Sequence, residues 1–167
     1  MSTPLENTTG ARKLRLDGIM SFMRAAGLED GVTVLVATSE SEDFDSSYEY
    51  DCGFSLTSEL IASGSTATAI IAVNDTTAAG CIAALRQAGK QVPEDYAVAG
   101  FDNLLVGKML QPELTSVDQM AGYAGCLALD ILIRRLRDTD LDELAVQMQY
   151  RPHLIVREST LFRRGEE

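Results

Sequence analysis

Residues 67–77 run Ala-Thr-Ala-Ile-Ile-Ala-Val and then at once Asn-Asp-Thr-Thr. An apolar stretch too short for a helix, with no polar position to turn toward water, is the pattern of a strand buried on both faces, as parallel sheets require. Asn, Asp and Thr are the side chains that cap helices, so a helix must begin where the strand stops. The spacing predicts that helix over 76–89, ending near Gly89, and the same grammar recurs along the chain. Pro93-Glu94-Asp95 turns into a strand at 96–101 that ends in Asp102, followed by a short helix at 104–109 and a strand at 114–118. A helix at 119–137 and a last strand at 152–157 follow, with a further strand expected near 145–150. Upstream, a helix at 11–26 stops near Gly27, Thr33–Ala37 forms a short buried β-branched strand, 38–47 is an acidic loop, and 48–63 is helical. Strands alternating with helices of this length predict an α/β fold, a parallel open sheet with helices on both faces. One such domain occupies 11–160, between polar tails at 1–10 and 161–167.

A chain of 167 residues can bury a core without metal or disulfide support, so stability leaves no trace of function. Charge excludes more. Against 14 Lys and Arg stand 25 Asp and Glu, a net charge of −11, and a surface of that sign repels phosphate backbones and anionic lipids. Neither nucleic acid nor membrane is therefore expected to bind this chain directly. Cys52, Cys81 and Cys126 are odd in number, lack Cys-x-x-Cys spacing and lie within apolar segments, as small core residues of a reducing compartment do. The first residues carry no apolar leader, and the longest apolar stretch, Ala124–Ile133, is broken by Asp130 and too short to cross a bilayer. The expected location is the cytoplasm.

Enzyme signatures fail. The single histidine, His153, sits in a predicted strand, no nucleophile elbow or dinucleotide fingerprint is present, and the Gly100–Lys108 stretch has the wrong spacing for a phosphate loop. No Cys, His, Asp and Glu set has metal spacing, so neither metal nor cofactor is expected. In an open α/β sheet, ligands sit beyond the carboxyl ends of the strands. Asn74 and Asp75, Asp102 and Asn103, and Gln119 stand at such ends. Each has a plain structural alternative: helix capping for the first pair, an Asx turn for Asp102, a solvated surface for Gln119. Arg15 is open to reading as a solvated arginine of an amphipathic helix, and Tyr48 as a half-buried aromatic at a helix start. Together, however, an arginine fork, amides, a carboxylate and an aromatic face make the kit that grips a polyhydroxylated small molecule. The helix at 119–137 carries two apolar stripes, Ala124, Leu127, Ala128, Ile131 and Leu132 on one side and Leu129, Ile133 and Leu136 on the other. It wants two neighbours, either in this domain's own core or on a surface supplied from elsewhere.

The wording of several segments resembles the lactose/galactose repressor (LacI/GalR) family. They are Ala69-Ile-Ile-Ala-Val-Asn-Asp-Thr-Thr-Ala-Ala-Gly80, then Ala84-Leu-Arg-Gln-Ala-Gly-Lys-Gln-Val-Pro-Glu-Asp-Tyr-Ala-Val-Ala-Gly-Phe-Asp102, then Pro112-Glu-Leu-Thr-Ser-Val-Asp-Gln119 and Leu154-Ile-Val-Arg-Glu-Ser-Thr160. The resemblance runs from about Arg12 to Thr160. It implies the C-terminal subdomain of a bacterial transcription regulator whose body is like the periplasmic sugar-binding proteins and whose separate helix-turn-helix headpiece binds operator DNA. It further implies that Arg15, Asn74 and Asp102 bind a sugar-like effector, that Tyr48 stacks on it, and that Gln119 adds a polar contact at a crossover. A homodimer is implied as well, and a 119–137 helix that packs in an N-terminal subdomain. Without that subdomain the helix is expected either to self-associate or to fold back on the rest. Two other readings stay open: a periplasmic receptor of the same fold, disfavoured by the missing leader and unpaired cysteines, and an α/β hydrolase or transferase using Asp75, Asp102 and His153.

Overall fold

A computed structural model describes residues 10–37, 46–137 and 147–162. Helices α1 (Ala11–Ala25) and α2 (Ser46–Ala62) precede β1 (Ala69–Ile71), α3 (Asp75–Gln87), β2 (Ala97–Phe101), α4 (Leu105–Met109), β3 (Thr115–Asp118), α5 (Ala121–Arg137) and β4 (His153–Ile155). The strands lie in the order β1-β2-β3-β4, with β1, β2 and β3 mutually parallel and β4 antiparallel to β3. This is the open α/β sheet the alternation of patterns demands.

The core lies between the sheet and the α2–α3 pair. Leu60 from α2, Ile70 and Ala72 around β1, Ala78, Cys81, Ile82 and Leu85 from α3, and Tyr96, Val98 and Leu114 around β2 and β3 form one buried cluster. What lets α3 sit so close to α2 is a reciprocal absence of side chains. A Cβ on Gly53 would fall 2.1 Å from the Thr77 carbonyl oxygen, and one on Gly80 would fall 2.0 Å from that of Tyr50. Backbone meets backbone at both points, so only hydrogen fits.

The C-terminal segment is stapled across the sheet by buried hydroxyls. Ser159 Oγ donates to the Val98 carbonyl at 2.6 Å and accepts from the Thr115 amide at 2.8 Å. Thr115 Oγ1 donates to the Arg157 carbonyl and accepts from the Arg157 amide. These hydroxyls satisfy backbone groups that no ladder reaches, as burial demands.

Four expectations need correction. Thr33–Ala37 is not a buried strand: Val36 makes an isolated bridge, Val34 is exposed, and only Leu35 packs against the core. β-branched residues fit a pleated surface, but an isolated bridge is a single residue pair and not the ladder that makes a strand. The last strand runs antiparallel, a direction that side-chain pattern does not encode for an edge strand. Residues 147–150 form no strand, and the rest of that expected element, like most of the 38–47 loop, lies outside the described residues. Cys52 and Cys81 are buried, but Cys126 is exposed on α5.

That last point extends to the whole of α5, which buries no residue. Leu132 is 53% exposed and Leu136 76%, so the helix does not occupy this domain's own core. Its described contacts include an edge-to-face pair between Tyr123 and Tyr150, with ring centroids 5.7 Å apart.

A paired substitution tests the helix crossing. Gly80→Ala forces α2 and α3 apart and is expected to cost about 2–3 kcal/mol, lowering the thermal midpoint by about 5–10 °C. Gly125→Ala in α5 meets nothing within 4 Å and is expected to gain about 0.5–1 kcal/mol from helix propensity. Thermal unfolding followed by circular dichroism reads both.

Candidate functional site

The carboxyl ends of β1 and β2 converge on one arginine. Arg15, in the second turn of α1, donates from Nη1 to the Val73 carbonyl at 2.8 Å. Its guanidinium carbon lies 3.8 Å from the centre of the Phe101 ring, and Nη2 lies 3.7 Å from Asp102 Oδ1. Stacking on one side and a carbonyl at the edge hold the fork in place, so a long side chain that is usually mobile is already oriented. Gln119 Nε2 donates to the same oxygen of Asp102. Asn74 follows Val73 directly and is the N-cap of α3, its Oδ1 accepting from the Thr77 amide at 2.9 Å. Capping engages the carbonyl oxygen and leaves the amide nitrogen of Asn74 as its donor toward a guest.

Arg15, Asn74, Asp102 and Gln119 are therefore gathered at one end of the sheet. Tyr48 lines a cleft of about 320 Å³ whose other walls include Val36, Ala37, Asp51 and Cys52. Among the described residues no hydrogen bond or ion pair joins His153 to Asp75 or Asp102. Asp75 is fully buried with both oxygens engaged, while His153 is exposed on the edge strand opposite Asp118.

The loop that presents Asp102 is unusual. Asp102 and Asn103 have φ of 101° and 49°, a conformation that L-residues other than glycine avoid, though Asp and Asn tolerate it best. Asn103 is held from both ends of its amide. Nδ2 donates to Asp118 Oδ2 at 3.1 Å, and Oδ1 accepts from Arg157 Nη2 at 2.5 Å. Asp118 in turn accepts from the Met120 amide with its other oxygen, fixing the turn into α5. Beneath the loop, Ser116 Oγ donates to Asp75 Oδ1. Desolvation raises the Asp75 carboxyl above the ordinary aspartate range; the bonds from Ser116 and Leu104 oppose this, Asp102 adds to it, and Arg157 opposes it.

Phe101, Ser116 and Arg157 escape a reading of strand ends alone. For Ser116 the signal exists: Thr115 and Ser116 are polar residues inside a short strand, and buried hydroxyls in a strand imply partners.

Residues 4–160 match the periplasmic binding protein-like domain family. The ribose operon repressor of Escherichia coli K12 is 34% identical over 147 residues, covering 87% of this chain and 41% of the repressor. The transcriptional repressor PurR of Pasteurella multocida is 28% identical over 155 residues, covering 92% of this chain and 43% of that protein. The chain thus spans about two-fifths of the length of these relatives. Among solved structures, a LacI family transcriptional regulator from Enterococcus faecium with bound ribose superposes with a TM-score of 0.78 at 26% identity, over 95% of this chain and 55% of that one. The transcriptional regulator CelR in complex with cellobiose gives a TM-score of 0.73 at 30% identity, over 95% of this chain and 45% of that one.

The raised Asp75 carboxyl has a signed consequence. A carboxyl whose folded value lies above its unfolded value binds protons more tightly when folded. Its contribution to stability therefore falls as pH rises from the ordinary aspartate range to the folded value. Asp75→Asn removes that contribution. Urea unfolding between pH 4 and 8 is expected to show the variant gaining on the native chain as pH rises through that window, and a constant difference above it.

Proposed function

The chain belongs to the periplasmic binding protein-like domain family, on the branch of the LacI-type transcriptional regulators, and from that premise we propose that it is the part of such a regulator that senses a small polyhydroxylated metabolite. The observation that carries this reading is the triple engagement of Arg15 with the Val73 carbonyl, the Phe101 ring and the Asp102 carboxylate. At rest, donor and acceptor partly satisfy each other; the 3.7 Å gap between Arg15 and Asp102 is longer than a good hydrogen bond. A pair of neighbouring sugar hydroxyls offers each of them a better partner. Arg15 and Asp102 orient the guest, while Asn74 and Gln119 pair with further hydroxyls. Tyr48, from the cleft it lines, stacks on the apolar face of the guest. Asp102 already balances the charge of Arg15, which favours a neutral sugar over an anionic ligand.

In this reading the chain binds without transforming. Effector binding biases an open–closed equilibrium and, in an intact regulator of the relatives' length, alters the DNA affinity of a helix-turn-helix headpiece in the cytoplasm. The operating unit is a homodimer. The bound ribose and cellobiose of the structural neighbours support the substrate class, and the net charge of −11 supports leaving DNA contact to another segment.

Calorimetry with ribose, lactose and cellobiose tests the proposal, on this chain and on a chimera in which residues 11–160 replace the matching part of the ribose operon repressor. At least one sugar is expected to bind the chimera, and Asp102→Ala is expected to weaken it by about 1.5–3 kcal/mol, the value of hydrogen bonds to a charged group. Undiminished binding in that variant removes Asp102 from the site, and silence across the panel overturns the sugar reading. Ester and phosphate substrates are expected to be left intact; turnover that disappears in His153→Ala would establish the enzymatic alternative instead.

A further inference from the structure

Helix start and ligand site do not account for the most buried charged side chain among the described residues. Asp75 is fully buried at the first position of α3, and among the described residues its carboxylate makes no ion pair. Such a group is costly unless something is gained from it. Capping does not explain it, because Asn74 already caps α3.

Its two oxygens instead hold the loop that follows Asp102. Oδ2 accepts from the Leu104 amide at 2.6 Å. Oδ1 accepts from Ser116 Oγ at 2.6 Å, and that same Oγ accepts from the Asn103 amide at 3.0 Å. Both amides after Asp102 thus lead to one carboxylate, directly or through one hydroxyl, and Ser116 is itself fully buried. The space is reserved for it: a Cβ on Gly100 would fall 2.3 Å from Oδ1. Two successive non-glycine residues at positive φ, at up to about 1–3 kcal/mol each, persist only where surrounding bonds over-determine them. The Asp75–Ser116 pair supplies those bonds.

We propose that Asp75, acting through Ser116 and the Asn103 and Leu104 amides, is the positioning residue that aims the Asp102 carboxylate at the guest. It contacts no ligand. It sets the affinity of the site by fixing where Asp102 points relative to Arg15 and Gln119. The ligand-facing role of Asp102 rests on the function proposed above; the anchoring of its loop does not.

Two measurements on the full chain separate these. Asparagine keeps the shape of Asp75 but accepts on one side only, so Asp75→Asn must lose one of the two bonds; Ser116→Ala removes the acceptor of the Asn103 amide. Without ligand, amide hydrogen exchange followed by NMR is expected to rise about tenfold or more at Asn103 or Leu104 in these variants, with Val98 and Leu85 unchanged. Unchanged exchange at both loop amides overturns the proposal. With ribose as the probe in an NMR titration, each variant is expected to weaken binding about tenfold in the native background and hardly at all beside Asp102→Ala, the non-additivity of residues acting as one unit. Losses that simply add would mean that Asp75 supports the fold without aiming Asp102, and overturn it too. If neither the native chain nor the chimera takes ribose, lactose or cellobiose, the sugar reading fails while the exchange result still decides whether Asp75 holds the loop.

Discussion

The near-contact of backbone with backbone where α2 crosses α3 governs the rest of the architecture. Gly53 and Gly80 each face a carbonyl oxygen of the other helix, so the helices have one depth of approach and little freedom to slide. That depth sets the height of the α3 N-terminus beneath the sheet. Asn74 and Asp75 are the first residues of that terminus, and both the cap and the buried carboxylate are measured from it. A looser crossing would carry Asp75 away from Ser116 and Leu104, and the loop bearing Asp102 would lose its floor.

Above that floor the candidate site is electrostatically self-contained. One cation, one anion and one amide answer each other, and Phe101 supplies the apolar face under the guanidinium. Groups oriented before a guest arrives need not be ordered on binding, which is where small polar sites lose most of their affinity. The same loop is tied to the turn into α5 through Asn103, Asp118 and the Met120 amide. The strand ends that face the site and the helix that leaves the sheet therefore share one hydrogen-bonded junction. Along α5, Leu129, Leu132, Ile133 and Leu136 stay exposed among the described residues.

Much of this was legible in the residues. The apolar run into Asn74 announced strand, cap and helix, because burial on both faces and orphan amides each demand particular side chains within a few positions. Arg15, Asn74, Asp102 and Gln119 were candidates on position, and they do come together. Val34 and Val36 misled, since strand propensity is realised only where a neighbour offers a ladder. Cys126 misled for the same kind of reason: an apolar helix does not declare whether its partner is present.

Periodicity and capping are local, acting over one turn or one pleat, and so the order of elements, the starts of the helices and the polar residues at strand ends were settled by the chain itself. Which residue faces which across the fold is not local. The direction of β4, the cleft that Tyr48 lines, the stack of Arg15 on Phe101 and the reach of Asp75 to Ser116 join positions as many as 86 apart. Only packing decided those, because a contact between distant segments depends on the geometry of everything folded between them.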